Sequence, residues 1–336
     1  MTASNPVLVE VTRGQLVESR HRGAIAVCDA DGKLVMARGN VDELIFPRSA
    51  VKAIQALPLV ESGAADQFGF GEKELALACS SHSGEAAHVE RAKHMLQQAG
   101  LDESCLECGG HWSLQQKVGF EQIRVYGDTP PAVCNNCSGK HSGFVCTAAH
   151  QGIDPAGYIR PEHPIQQTIK EMMTQVTGAV HEADQCGTDG CSIPTYAIAL
   201  SNLATGFAKM ASGQGLSTER TEAARRLMAA CMAEPFYVAG TNRFCTQFME
   251  AGNRRLFAKT GAEGVFCGAI PELGLGIALK CDDGAARTAE VMMAATTSAL
   301  LPKDDALQVQ LADLSVRKLK NWNRIEVGEI RPVAGF

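Results

Sequence analysis

Strand-forming sequence stands at both ends of this chain, and a long stretch of helical periodicity separates the two. At the front, residues 6–12 and 15–19 read as paired strands around Arg13-Gly14. Residues 23–28 and 33–37 flank Asp29-Ala-Asp-Gly32, a sequence suited to a tight hairpin. At the back, strand character returns at 255–259, 264–270 and 274–280, with a long alanine-rich helix near 285–300 and a last strand at 324–331. In between, apolar spacing predicts helices at 72–79, 85–99, 140–150, 163–176, 194–210 and 217–232. The stretch 101–138, rich in Cys, Gly and Pro, reads as irregular. This order implies an α+β class, with one antiparallel sheet built from both termini and a helical region inserted in the middle. The expected division is 1–60 with 240–336 as the sheet-containing region and 61–239 as the mainly helical one.

The 336 residues suffice for one large domain or two ordinary ones. A formal charge of -6 argues against a nucleic-acid partner, which needs a basic surface. No apolar run approaches membrane-spanning length, and the first residues lack a basic segment followed by an apolar one. A cytoplasmic location is therefore expected. In such a chain 13 cysteines, an odd number, read as reduced thiols or metal ligands.

Pro47-Arg48-Ser49-Ala50-Val51-Lys52 places a serine and a lysine three residues apart, ahead of a helical Ala-Ile-Gln-Ala-Leu closed by Pro58. On a helix these two share one face, so Lys52 would sit over Ser49 and, desolvated, could take its proton. Alone the pattern also fits a capping serine followed by a solvated lysine. Cys79-Ser80-Ser81-His82-Ser83-Gly84-Glu85 lies between two helical segments, where its hydroxyls can cap the second helix or face Ser49. Lys259-Thr260-Gly261 ends a strand, either as a solvated edge lysine or as a place where a ligand approaches closely.

Cys134-Asn-Asn-Cys137-Ser-Gly-Lys140-His141 and Asp189-Gly190-Cys191 are the strongest metal candidates. With Cys105-x-x-Cys108 upstream, a four-cysteine zinc ribbon is one reading, although its gap is long for that motif. Another places zinc on Cys137, Lys140 and Cys191 with a position left open, and a third leaves the cysteines as buried apolar groups. No phosphate-binding loop and no dinucleotide-binding glycine pattern follows an expected strand.

Taken together, Arg48-Ser-Ala-Val-Lys-Ala-Ile-Gln-Ala-Leu-Pro58, Cys79-Ser-Ser-His-Ser-Gly-Glu85, Asn136-Cys-Ser-Gly-Lys-His141, Asp189-Gly-Cys191, Val238-Ala-Gly240 and Ala258-Lys-Thr-Gly261 resemble the Rhizobium-type (class 3) L-asparaginases over nearly the whole chain. The fold of that family is like that of serine β-lactamases and penicillin-binding enzymes. The resemblance implies two Ser–Lys pairs, Ser49 with Lys52 and Ser81 with Lys259, and Zn²⁺ on Cys137, Lys140 and Cys191. It further implies substrate contacts from Arg48, His141, Asp189 and Cys245, and a homodimer; Cys105 and Cys108 receive no role. The expected reaction is hydrolysis of L-asparagine to L-aspartate and ammonia, with Ser49 as nucleophile and Ser81–Lys259 as relay, the reverse assignment being open. A glutaminase or another serine acyl-transfer enzyme on this fold is the nearest alternative. A non-catalytic zinc- or amino-acid-binding protein would leave two complete Ser–Lys pairs without a use.

Overall fold

The computed structural model describes residues 4–336. Its main sheet has eight strands: β1 (Val7–Arg13), β2 (Leu16–Cys28), β3 (Leu34–Arg38), β8 (Phe257–Thr260), β9 (Val265–Ile270), β10 (Leu275–Cys281), β11 (Arg317–Lys320) and β12 (Glu326–Pro332). The remaining four form two small ladders, β4 (Leu44–Ile45) with β7 (Ile198–Ala199) and β5 (Cys186–Thr188) with β6 (Pro194–Tyr196). In the main sheet the order is β11-β12-β1-β2-β10-β9-β8, with β3 also on β2, and every pairing is antiparallel. Strands from the first and last parts of the chain thus share one sheet, as the sequence pattern implies.

The segments expected as two strands at 15–19 and 23–28 form one long strand, β2. Its first half alternates toward solvent against β1, while residues 23–28 are buried between β10 and β3. Strands β9 and β10 are buried almost throughout because helices cover both faces. Gly276 abuts the backbone of helix Leu200–Ser212, whereas Gly268 and Cys281, on the opposite face, meet helix Ala286–Leu300.

The helical body surrounds Ser138–His150, whose residues from Ser138 to Ala148 are all buried. It packs against helices Glu72–Ala78, Ala86–Gln98 and Pro164–Thr177. A helix that starts Ser-Gly-Lys-His and is nonetheless buried must find partners for those polar groups inside the protein. That requirement locates the site.

Three local expectations change. Residues 194–210 are not one helix: Pro194 and Thr195 pair with β5, Ile198 and Ala199 pair with β4, and the helix begins at Leu200. The stretch 101–138 holds the helix Gln116–Tyr126. After Phe46 the chain makes a 3₁₀ turn (Arg48–Val51) and a single helical turn (Lys52–Gln55), and Pro58 lies in the first turn of the next helix, Leu57–Glu61. Among the described residues no helix is long and apolar enough to cross a membrane.

Candidate active site

Segments far apart in the chain meet at the buried hydroxyl of Ser81. Lys52 Nζ donates to Ser81 Oγ from 2.9 Å, and Lys259 Nζ does so from 3.0 Å. Both lysines are 1% exposed and Ser81 is 6% exposed. The Ser81 backbone N–H donates to Val238 O at 3.0 Å, which fixes the serine against the last turn of helix Pro235–Ala239, just ahead of a loop. That loop turns at Gly240 with φ 113, where any Cβ would collide with Ser83 Oγ. Lys259 arrives at the end of β8, and Gly261 just beyond lets the strand end lie on the 48–51 turn, since a Cβ there would stand 2.5 Å from Pro47 O.

The pairing of Ser49 with Lys52 expected from helical spacing is not the contact found. Among the described residues Lys52 Nζ donates to Ser80 O (2.5 Å), Ser81 Oγ (2.9 Å) and Cys137 Sγ (3.0 Å), and not to Ser49. The physical reason is that an ammonium out of water needs an acceptor for each of its three N–H groups. Ser49 offers one oxygen, whereas Ser80 O, Ser81 Oγ and Cys137 Sγ together offer three acceptors. Ser49 itself is half-buried in the 3₁₀ turn, and its hydroxyl makes no hydrogen bond among the described residues. Both lysines therefore converge on one serine.

Burial, reinforced by the positive charge of Lys52, pulls the Lys259 pKa down to about 7. Free lysine titrates near ~10.4, so a neutral Lys259 amine is accessible near neutral pH. Histidine is poorly placed to compete as base. Gly84 N donates to His82 Nδ1 at 3.0 Å, and His82 Nε2 bonds Ser138 Oγ at 2.9 Å, so both ring nitrogens are occupied. Burial first, then the neighbouring His88 and Lys52, holds His82 well below the usual histidine range.

On the other side of Lys52 lie Cys137, Lys140 and Cys191. Lys140 Nζ donates to Cys191 Sγ at 3.0 Å. Cys137 is held as a thiolate well below the usual thiol range, because Cys191 donates to it and the charges of Lys52 and Lys140 stand beside it. Cys191, the proton donor of that sulfur pair, is pushed up accordingly. Burial opposes the charge on Lys140, but the two cysteines outweigh it and raise its pKa. Two buried sulfurs and an amine, linked through Cys191, are a donor set that fits a zinc ion, which would replace the protons on Cys191 and Lys140. The ribbon alternative does not form. Cys105 donates to Asp102 O and Cys108 to Ala132 O. The group His21, Cys281 and Asp283 is the only set of three or more His, Cys, Asp or Glu ligands that converges among the described residues, and it contains none of the ribbon cysteines.

Arg48 and Asp189 flank this cluster. Arg48 Nε donates to Asp189 Oδ2 at 3.0 Å, which leaves Nη1 without a partner among the described residues. The Asp189 carboxyl is drawn below its usual range by Arg48 and Lys140 despite burial. Arg48 has φ 52, an uncommon conformation for a non-glycine residue, and it turns the guanidinium toward the 189–191 loop.

His141 lies beside Lys140 and is held by Tyr158, a residue that sequence reasoning missed. Burial drives the Tyr158 pKa far up, so its hydroxyl keeps its proton. That hydroxyl accepts from Glu107 N at 3.0 Å and shares a hydrogen bond with His141 Nδ1 at 2.5 Å. His141 Nε2 is buried without a partner among the described residues. Cys245, by contrast, is sealed in the first turn of helix Phe244–Gly252, where burial raises its thiol.

Comparison with known proteins places the chain in a class, that of the amidohydrolases of asparaginase type. The chain belongs to the L-asparaginase II family, whose profile matches residues 9–332. No protein with a curated description matches significantly. Among solved structures it is similar to a β-lactamase from Mycobacterium bovis, at 13% identity and TM-score 0.38, over 78% of this chain and 88% of that one. It is also similar to Mglu in its native form, at 17% identity and TM-score 0.39, over 85% of this chain and 66% of that one.

Proposed function

We propose that this protein hydrolyses the side-chain amide of L-asparagine, with Ser81 as nucleophile and Lys259 as its base. The observation that carries the reading is a single buried hydroxyl held between two lysines, one of which has a pKa near 7. Neutral Lys259 takes the Ser81 proton as Oγ attacks the amide carbon, and Lys52, donating from the other side, keeps the hydroxyl oriented. Protonated Lys259 then gives its proton to the departing nitrogen, so ammonia leaves and a β-aspartyl ester remains on Ser81. Water, deprotonated by the same amine, releases L-aspartate. Arg48 Nη1 is free to take the α-carboxylate, and Asp189 carries the negative charge that an α-ammonium needs. Ser49, half-buried with an uncommitted hydroxyl, is left as a second polar contact at the same site.

Cys137, Lys140 and Cys191 would hold Zn²⁺, which when bound supplies a positive, open coordination position for a polar end of the substrate. Metal analysis should find one zinc per chain, lost in Cys137→Ser and in Cys191→Ser. The double variant Cys105→Ser/Cys108→Ser should keep it; loss of zinc there would reinstate the ribbon.

Ammonia release by the purified protein tests the function directly. L-asparagine should turn over with a kcat/KM about 10- to 200-fold above that of L-glutamine, the discrimination expected for one methylene. Equal or faster turnover of glutamine would make the protein a glutaminase, and no turnover of either would remove the proposed activity.

A further inference from the structure

Behind the β5–β6 hairpin lies a cavity of about 410 Å³ that takes no part in the chemistry above. Its polar lining includes Gln167, Lys170, Thr188, Ser192 and Tyr196, and no Asp or Glu is among its lining residues. In a chain whose net charge is -6, a cavity lined by donors around one cation is selective for anions. Three of them are uncommitted: the Lys170 ammonium and the Thr188 and Ser192 hydroxyls make no hydrogen bond among the described residues, whereas Gln167 Nε2 donates to Pro161 O at 2.6 Å and the Tyr196 hydroxyl bonds Cys186. Lys170 stands 5.7 Å from the ring centroid of Tyr196.

His181 lies behind the lining residue Tyr196 and is not itself part of the cavity wall. His181 is 2% exposed, and neither of its ring nitrogens has a partner among the described residues. Its ring packs against that of Tyr196 at 5.2 Å. Its ring therefore senses the cavity through Tyr196.

The cavity is joined to the active site through the hairpin itself. Cys186–Thr188 pairs with Pro194–Tyr196, and the connecting residues carry Asp189 and Cys191. Asp189 N donates to Ile193 O and Ser192 N donates to Asp189 O, each at 2.8 Å. Ser192, at φ 76, holds an uncommon non-glycine conformation next to Cys191. Whatever fixes Thr188, Ser192 and Tyr196 therefore fixes the loop that presents Asp189 to Arg48.

We propose that this cavity binds a small oxyanion, the carboxylate or phosphate group of a metabolite-sized ligand, through Lys170, Thr188, Ser192 and Tyr196, and that its occupancy sets the position of the Asp189 loop. Binding does not depend on the assigned reaction, so the two can fail separately. The test titrates zinc-loaded full-length protein in chloride buffer with inorganic phosphate and, separately, with succinate. The readouts are calorimetry and the His181 ring resonances. Saturable binding that moves His181 and weakens at least tenfold in Lys170→Gln supports the site. Success with only one probe identifies the group as phosphate or carboxylate. Lys170→Gln should leave kcat/KM unchanged without probe, while the probe should alter the asparagine KM of the wild type and not of the variant. Absence of saturable binding by both probes, or binding undiminished in Lys170→Gln with His181 unmoved, would overturn the proposal.

Discussion

Replacing Ser81 with alanine should abolish asparagine hydrolysis, lowering kcat at least ~10²-fold, while zinc content and thermal unfolding stay close to wild type. The hydroxyl accepts from two buried lysines, and among side-chain nucleophiles it alone bonds the low-pKa amine of Lys259, since Cys137 Sγ contacts Lys52 instead. Loss of the oxygen removes the attacking atom but little volume, so the fold should survive. Ser49→Ala should cost clearly less, because the Ser49 hydroxyl touches neither lysine and serves only as a polar contact. Steady-state ammonia release by the two variants separates these roles. If Ser49→Ala were the more damaging change, the nucleophile would have to be reassigned to Ser49 and Lys52 would have to swing away from Ser81.

Lys259→Met should be comparably severe, with kcat/KM down at least ~10²-fold and its pH dependence altered. The base form of Lys259 is the neutral amine, and the folded protein lowers its pKa to about 7 through burial and the charge of Lys52. Raising the pH through 7 therefore increases the active fraction, so wild-type kcat/KM should climb on the acid side and level off above. Lys259→Met should lose that limb. A histidine limb is excluded on direction: burial holds His82 and His141 well below the ordinary value of 6.5, so both are already neutral where activity rises. A limb near 6.5 that vanished in His82→Ala or His141→Ala would move the role to histidine.

Much of the architecture is legible in the residues, and the failures share one cause. Strand and helix periods report local burial, so the apolar β-branched residues of β1 and the apolar runs of β9 and β10 identify the sheet and the two ends that build it. Likewise, the motif segments name the residues that gather at the site. Their pairing is another matter. Ser49 and Lys52 lie at helical spacing, yet the partner of a buried ammonium is decided by how many acceptors surround it, and the segments supplying them, at 80–81 and 137, are distant in sequence. Tyr158 escaped notice for the same reason. Its role depends on a hydroxyl meeting His141 across 17 positions, and no local pattern marks that meeting. The hairpin at 186–196 was overridden by apolar spacing that continues into the helix from Leu200, although Pro194 gave a local warning.

The central claim is that the asparagine acyl group passes through Ser81. Acid quenching of the zinc-loaded enzyme during turnover of L-asparagine, followed by proteolysis and mass mapping, reads the acylated residue directly. An aspartyl increment should appear on the peptide containing Ser81, build up within the first turnover and be absent from Ser81→Ala. The increment on the peptide containing Ser49, with Ser81 unmodified, would contradict it.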